Sequence, residues 1–531
     1  MGQTETMPTF SPTRRSINFL DFGASWPGPL ALLAALAIGI LFAAAPLTIA
    51  LPIFAATAVF LLALIQPLAA LALALIAGPF GALENVILGG LSVDSGQLLL
   101  LLALAAWIAR LLIKRRIDLP RTPLKLPILL FLAVAALSLL AAPDLLLGLK
   151  EIIKWLEIAA VMLMVTDLGS KIGSNKAGDG QAAPLPGIGW VLIMLFVAGL
   201  SQAVIGIWQF MFRGEGPEHF LVLGRFYRAY GTFEQPNPFG GFMNLTALLA
   251  LGVLIGLLMF WLQGRVRLRP PKGRDRRLTF MCLLLAFAAA AVVAAATLLG
   301  LLFSWSRGAW MGFLAGLTIM VVFWPRRLRY GVLLLLLASV GFLFLYQSHL
   351  LPATVADRVS GFAADLTFGD VRGVDINDEN YAVLERLAHW QAALDMAGDR
   401  PYLGIGFGNY GAAYGDYRLL NWPDALGHAH NYYLNTLAET GVLGLIAYVL
   451  LWSAIFWQTF RVLKREDWPL RGIALGLLGV WTAITIHHAV DKLYVNNIYI
   501  HLGVLLGLLQ LSDLHTRSDV PERLVKSERI A

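Results

Sequence analysis

The sequence predicts an all-α fold, a polytopic transmembrane helical bundle of about 12–14 spans with a large extracytoplasmic loop subdomain. Three observations predict it. The 531 residues are 58% hydrophobic and only 14% charged, with a mean hydropathy of +0.72, and a water-soluble chain needs far more polar surface to cover its core. Apolar runs long enough to cross ~30 Å of hydrocarbon recur along almost the whole length, and lipid offers backbone groups no partners, so such runs fold as helices. Basic residues gather in the short loops between those runs, which is a mark of membrane topology. The formal charge of +7 and the pI near 9.4 therefore give no reason to expect a nucleic-acid partner.

In chain order, residues 1–27 are polar, carry Arg14 and Arg15, and lack the apolar core and small-residue cleavage site of a signal peptide. They read as a cytoplasmic tail ahead of a retained first span. Spans are expected to begin near 28, 47, 66, 94, 124, 150, 187, 239, 279, 306, 330, 434, 470 and 493. They group into N-terminal spans (28–210), spans with two arginine-bearing outer loops (211–346), an extracytoplasmic loop (347–433), C-terminal spans (434–511) and a cytoplasmic tail (512–531). The single cysteine, Cys282, sits in an apolar run and excludes a disulfide framework or a cysteine zinc site. Segment 169–186, rich in Gly, Ser, Lys and Asn, reads as a flexible linker.

Orientation follows from the loops that are plainly basic, 114–125, 265–277, 326–329 and 461–471, all of which fall on the cytoplasmic side when the N-terminus is inside. The same arrangement puts 211–238, the turn at Ser304–Arg307 and the loop 347–433 outside. That loop has no lysine and an acidic excess. Within it, Glu385–Met396 shows helical spacing of apolar residues, Gly398 to Pro401 supplies a stop, and Gly404, Gly406 and Gly408 form a loop whose backbone is free to approach a ligand closely.

Chemistry is expected where three motifs reach the outer face: Arg225-Phe-Tyr-Arg228 through Asn237, Ser304-Trp-Ser-Arg307-Gly, and Gly427-His428-Ala-His430-Asn431. Two arginines and a histidine at one membrane depth suit an anion, arginine offering planar paired donors to phosphate and histidine exchanging a proton near neutral pH. Each motif also has a plainer reading. Arginines at span ends snorkel to headgroups, His430 caps the following helix with His428 as the functional partner, and Asn237-Pro238 simply begins a helix. His487, His488 and Asp491 read as supporting residues.

His430-Asn431, nine residues, Gly441, two residues, Gly444 is similar to the signature of the O-antigen ligase and O-antigen polymerase superfamily. Arg228-x-x-Gly231-Thr232-Phe233, Pro236-Asn237, Ser306-Arg307-Gly308, Arg386-x-x-x-Trp390 and Pro401-x-x-Gly404-x-Gly406-x-Gly408-Asn409 match in the same order, over about residues 190 to 510. The resemblance implies a metal-independent glycosyltransferase with no cofactor, in the bacterial plasma membrane. Its donor would be a glycan on undecaprenyl diphosphate, and its acceptor a hydroxyl of the lipid A core or of another glycan. Carried over, His430 takes the place of the essential histidine, and Arg228 and Arg307 those of the diphosphate-facing arginines. Arg225, Asn237, Arg386, Glu379, His428 and Asn431 are expected as substrate-binding residues. The rival classes are a polymerase of the same superfamily, a secondary transporter and a non-catalytic scaffold.

Overall fold

The computed structural model describes residues 46–84, 87–88, 91–115, 119–172, 186–263, 276–348, 370–377 and 380–518. The chain divides after Leu61 into two units. The described part of the first belongs to helix α1 (Leu47–Ile65), an apolar, largely exposed helix with Pro52 inside it.

The second unit continues through α2 (Pro67–Ala77), α3 (Ser95–Ile113), α4 (Lys125–Ser138), α5 (Leu145–Lys171), α6 (Pro186–Met211), α7 (Pro236–Leu262), α8 (Arg276–Phe303), α9 (Arg307–Phe323) and α10 (Leu328–Gln347). After these come α11 (Tyr381–Asp399), α12 (Tyr410–Tyr417), α13 (Tyr432–Arg465), α14 (Leu470–His487) and α15 (Ile498–Ser518). Among the described residues, strands are confined to two short antiparallel hairpins, Ile87–Leu88 with Leu91–Ser92 and Leu221–Val222 with Phe226–Tyr227.

Eight of these helices are long and apolar enough to cross a membrane, and four shorter apolar helices join them. Helices begin within a few residues of every span start expected from 47 onward; the span expected near 28 lies outside the described residues. The protein is a multi-pass, all-α membrane protein. Helix α5 carries Lys150, Glu151, Lys154 and Glu157; of these, Glu151 pairs with Lys154, Nζ to Oε1 2.6 Å, and with Lys492 at 3.5 Å.

Close helix crossings use small residues, because apolar side chains gain little by leaving lipid and contact must come from shape. Gly252 and Gly256 of α7 face Gly472 and Gly476 of α14, and a Cβ at Gly252 would meet the backbone of both α14 glycines.

The expected loop helix is present as α11, and the segment after it does something the sequence did not announce. Helix α13 is broken at Gly441, which has φ 64° and ψ −170°. A break strands backbone groups that lipid and a dry core leave unsatisfied. Residues 401–406 fill it: Ile405 and Gly406 N–H donate to the carbonyls of Ala438 and Glu439 at 3.0 and 2.9 Å, and Val442 and Leu443 N–H donate to the carbonyls of Pro401 and Tyr402 at 2.8 and 3.3 Å. Gly404 has positive φ, and a Cβ there would collide with Glu439. The close approach expected of this glycine loop is to the protein's own helix rather than to a ligand.

Candidate active site

Segment 228–237 hangs between α6 and α7 and is held by glutamines of α6. Gln209 Oε1 accepts from the N–H of Tyr230 and Gly231 at 3.1 and 2.7 Å, and Gln202 Oε1 accepts from Thr232 N–H at 3.1 Å. Ala229 N–H donates to Phe303 O at 2.8 Å, tying the segment to the turn after α8. Arg228 reaches across that turn. Its Nε–H donates to Ser304 O at 3.0 Å and its Nη2 to Asn237 Oδ1 at 3.4 Å, while Asn237 Oδ1 also accepts from Ser306 Oγ at 2.8 Å. Asn237 is therefore a clasp between Arg228 and the Arg307 turn. There Ser306 caps α9 through Ala309 N–H, and half-buried Arg307 takes the first helical position.

The same turn closes on the loop that follows α14. A Cβ at Gly308 would lie 2.8 Å from Val490 and 3.1 Å from His487, so a glycine is needed for that approach. At His488, the first residue after α14, the chain is bolted to α13: Tyr432 N–H donates to His488 O at 2.7 Å, and Tyr448 Oη lies 3.2 Å from His488 Nδ1.

His430 sits at the junction. It has φ +50°, a left-handed conformation uncommon outside glycine that concentrates at functional sites. Its N–H donates to His428 Nδ1 at 3.0 Å, and the two rings lie 4.4 Å apart. Asp491 stands between them, its Oδ1 3.8 Å from His430 Nδ1 and 3.9 Å from His428 Nε2. Lys492 N–H holds that carboxylate at 2.8 Å. Both ring nitrogens of His430 are buried and, among the described residues, make no hydrogen bond.

Charge in this cluster is unevenly shared. Burial, then the neighbouring His430, pushes His428 down to about 3, so it is neutral at physiological pH. Burial alone would raise Asp491, but His430, His428 and His487 around it hold the carboxyl well below the usual range. Burial works to lower Lys492, yet Glu151 and Glu439 beside it hold the ammonium above its usual value. The ligand atoms of His428, His430 and Asp491 lie within 4.8 Å of one another, a spacing that invites a metal reading. Because His428 Nδ1 accepts a backbone N–H, neutral His428 carries its proton on Nε2, facing Asp491. That tautomer suits a hydrogen-bonding proton site better than a metal ligand.

The structure thus brings Arg228, Asn237, the Arg307 turn, His428 and His430 to one end of the bundle. Arg386 on α11 is half-buried and lies within electrostatic reach of His487. Asn431 Oδ1 accepts from Tyr433 and Leu434 N–H at 3.0 and 3.1 Å and caps α13, so the side chain that caps this helix is Asn431 and not His430. Arg225 is exposed in its hairpin turn, its guanidinium over the Phe226 ring at 5.2 Å, and Glu379 lies outside the described residues.

Sequence reasoning missed His389 of α11. Its ring lies 5.7 Å from His430 and is stacked on Tyr414, with Nδ1 2.9 Å from Tyr410 Oη. Burial and the neighbouring His430 push it down to about 4. Its position within Arg386-x-x-His389-Trp390, one helical turn from Arg386, is the signal that could have found it.

Fold and site together describe a polytopic α-helical membrane protein whose arginines and histidines, carried on separate helix ends, converge at one end of the bundle. Comparison with family models matches residues 292–449 to the family described as O-antigen ligase. This stretch of the chain is O-antigen ligase-like, and the likeness supports a membrane glycosyltransferase of the ligase or polymerase type. Arg307, Arg386, His428 and His430 lie inside the matched segment; Arg228, Asn237 and Asp491 lie outside it and reach it through the contacts described above. Comparison with curated proteins found no match.

Proposed function

We propose that the protein transfers a glycan from an undecaprenyl-diphosphate carrier to an acceptor hydroxyl, on the extracytoplasmic face of the bacterial plasma membrane, with inversion at the anomeric carbon. A lipid diphosphate is already a competent leaving group. The protein's work is to neutralise the charge that develops on it and to align the acceptor. Arg228 and Arg307, clasped by Asn237, serve the diphosphate. His430 accepts the acceptor hydroxyl proton through Nε2, and Asp491 on its Nδ1 side orients the ring and stabilises the imidazolium that forms. The bond from the anomeric carbon to the carrier oxygen breaks as the acceptor oxygen attacks; the proton passes to His430, and undecaprenyl diphosphate leaves.

The observation that carries this reading is the Asn237 clasp, together with the Gly308 contact to the loop bearing His487 and Asp491. It links the turns that carry Arg228 and Arg307 to the loop that carries Asp491, which supports one site for all three. Acceptor identity separates a ligase, acting on the lipid A core, from a polymerase, acting on another carrier-linked glycan.

The test uses purified protein and a carrier-linked oligosaccharide. Wild type should release undecaprenyl diphosphate, and His430→Ala should lower that release by roughly 10²- to 10⁴-fold while the protein keeps its thermal unfolding profile. Normal turnover by the variant would remove His430 from the role of base. Substrate uptake into proteoliposomes without any lipid donor would favour transport instead.

A further inference from the structure

A cavity of about 230 Å³ opens at the C-terminal end of α5, lined by Gln66, Trp107, Arg110, Lys114, Asp167 and Lys171 among others. Glu151, near the start of α5, belongs with Lys492 beside the histidine cluster. At 1.5 Å per residue, Asp167 lies about 24 Å farther along the helix, close to the thickness of the hydrocarbon layer. The cavity therefore has no part in the chemistry at His430.

Its walls are strongly cationic. The one carboxylate, Asp167, is held by Trp107 Nε1–H at 3.0 Å and by the ammonium of Lys171. Arg110 donates to the backbone carbonyl of Leu64 at 2.9 Å and to that of Ile65, which fixes its guanidinium plane without meeting its charge. Among the described residues neither Arg110 nor Lys114 has a carboxylate partner. Next to these cations the surface turns apolar: Ile65, Leu112 and Ile113 are 72%, 59% and 80% exposed. At about 230 Å³ the cavity has room for a phosphodiester and part of its alcohol.

We infer that this cavity binds the headgroup of an anionic glycerophospholipid, its phosphate between Arg110, Lys114 and Lys171 and its acyl chains along the apolar rim at Ile65, Leu112 and Ile113. A free phosphate shares the cationic walls but has no use for the rim. On the orientation given by the basic loops, the site faces the cytoplasmic leaflet, the leaflet whose anionic lipids attract such clusters.

The experiment places the purified full-length protein in phosphatidylcholine nanodiscs with increasing phosphatidylglycerol and counts retained lipids by native mass spectrometry. Wild type should retain phosphatidylglycerol over phosphatidylcholine. Lys114 is exposed and caps nothing with its side chain, so its replacement leaves folding alone. Lys114→Gln should weaken retention about fivefold and Lys114→Glu about 25-fold, at the usual strength of one basic residue near an anionic surface, and Lys114→Arg should restore it. Millimolar inorganic phosphate should not displace the lipid. Equal retention by wild type and Lys114→Glu, or displacement by phosphate, would overturn the assignment. Because the readout is lipid binding, it stands apart from the outcome at His430.

Discussion

Asp491→Asn removes a charge and almost nothing else. The carboxylate is buried, its Oδ1 is 3.8 Å from His430 Nδ1, and Lys492 N–H fixes its rotamer; the amide keeps shape and an accepting oxygen. If His430 becomes an imidazolium as the acceptor is deprotonated, a unit charge at that distance stabilises it by about 4 kcal/mol at an effective dielectric of 20. That corresponds to roughly 10³-fold in rate. On the proposed function the diphosphate contacts come from Arg228 and Arg307 on other elements, so donor KM should change little while kcat falls by about that factor. The assay is release of undecaprenyl diphosphate from a carrier-linked oligosaccharide, followed as full kinetics over pH. A variant with kcat within threefold of wild type, and an unchanged unfolding profile, would refute the claim that Asp491 acts through His430. A rise in donor KM alone would assign Asp491 to binding instead.

Acid should destabilise the fold before it protonates the carboxylates. His428 and His488 are both pushed down to about 3, chiefly by burial, whereas an unfolded chain takes up their protons near pH 6.5. Stability is therefore complete above that value and falls as pH drops toward 4, by up to about 1.4 kcal/mol per pH unit for each histidine; a thermal midpoint in detergent that stays flat between pH 7 and 5 would contradict this. Gly441→Ala should cost about 1–3 kcal/mol, from the left-handed φ and from a Cβ driven into the carbonyl of Tyr402. The measurement is the yield of folded, monodisperse protein after extraction, and wild-type yield would show that the loop insertion is not rigid.

The helical bundle was legible because lipid leaves so few solutions: a run of apolar residues near 20 long has to be a helix, whatever its neighbours. The arginine and histidine motifs were legible for a related reason, since polar side chains at span ends stand out against Leu and Ala. What the sequence concealed is connectivity between elements. Nothing local in Gly404-x-Gly406 reveals that its N–H groups replace the partners lost at Gly441, because the hydrogen bonds run between segments about 35 residues apart. Asn431 looked like a ligand contact and is a helix cap, a role its residue type favours on local grounds. Asp491 read as a supporting residue alongside His487 and His488, and it stands between His428 and His430, a placement set by the turn after α14 rather than by any spacing along the chain.

The loop inserted at Gly441 also accounts for how one site could serve different acceptors. The chemical groups are carried by span ends: Arg228 and Arg307 on turns joined by Asn237, Asp491 on the α14 end, and His430 at the mouth of α13. The wall over His430 belongs to the loop subdomain, where α11 contributes His389 and α12 contributes Tyr414. Both ring nitrogens of His430 are sealed in this arrangement, so an acceptor hydroxyl reaches Nε2 only when that wall gives way. The wall cannot drift as a free lid, because four backbone hydrogen bonds splice residues 401–406 into α13 on either side of Gly441. On the proposed function, an opening for the acceptor is to be sought in α11 and α12, which flank the splice. On the proposed function, acceptor preference is set by the loop that carries α11 and α12, and the diphosphate-facing groups on the span ends stay unchanged when that loop differs.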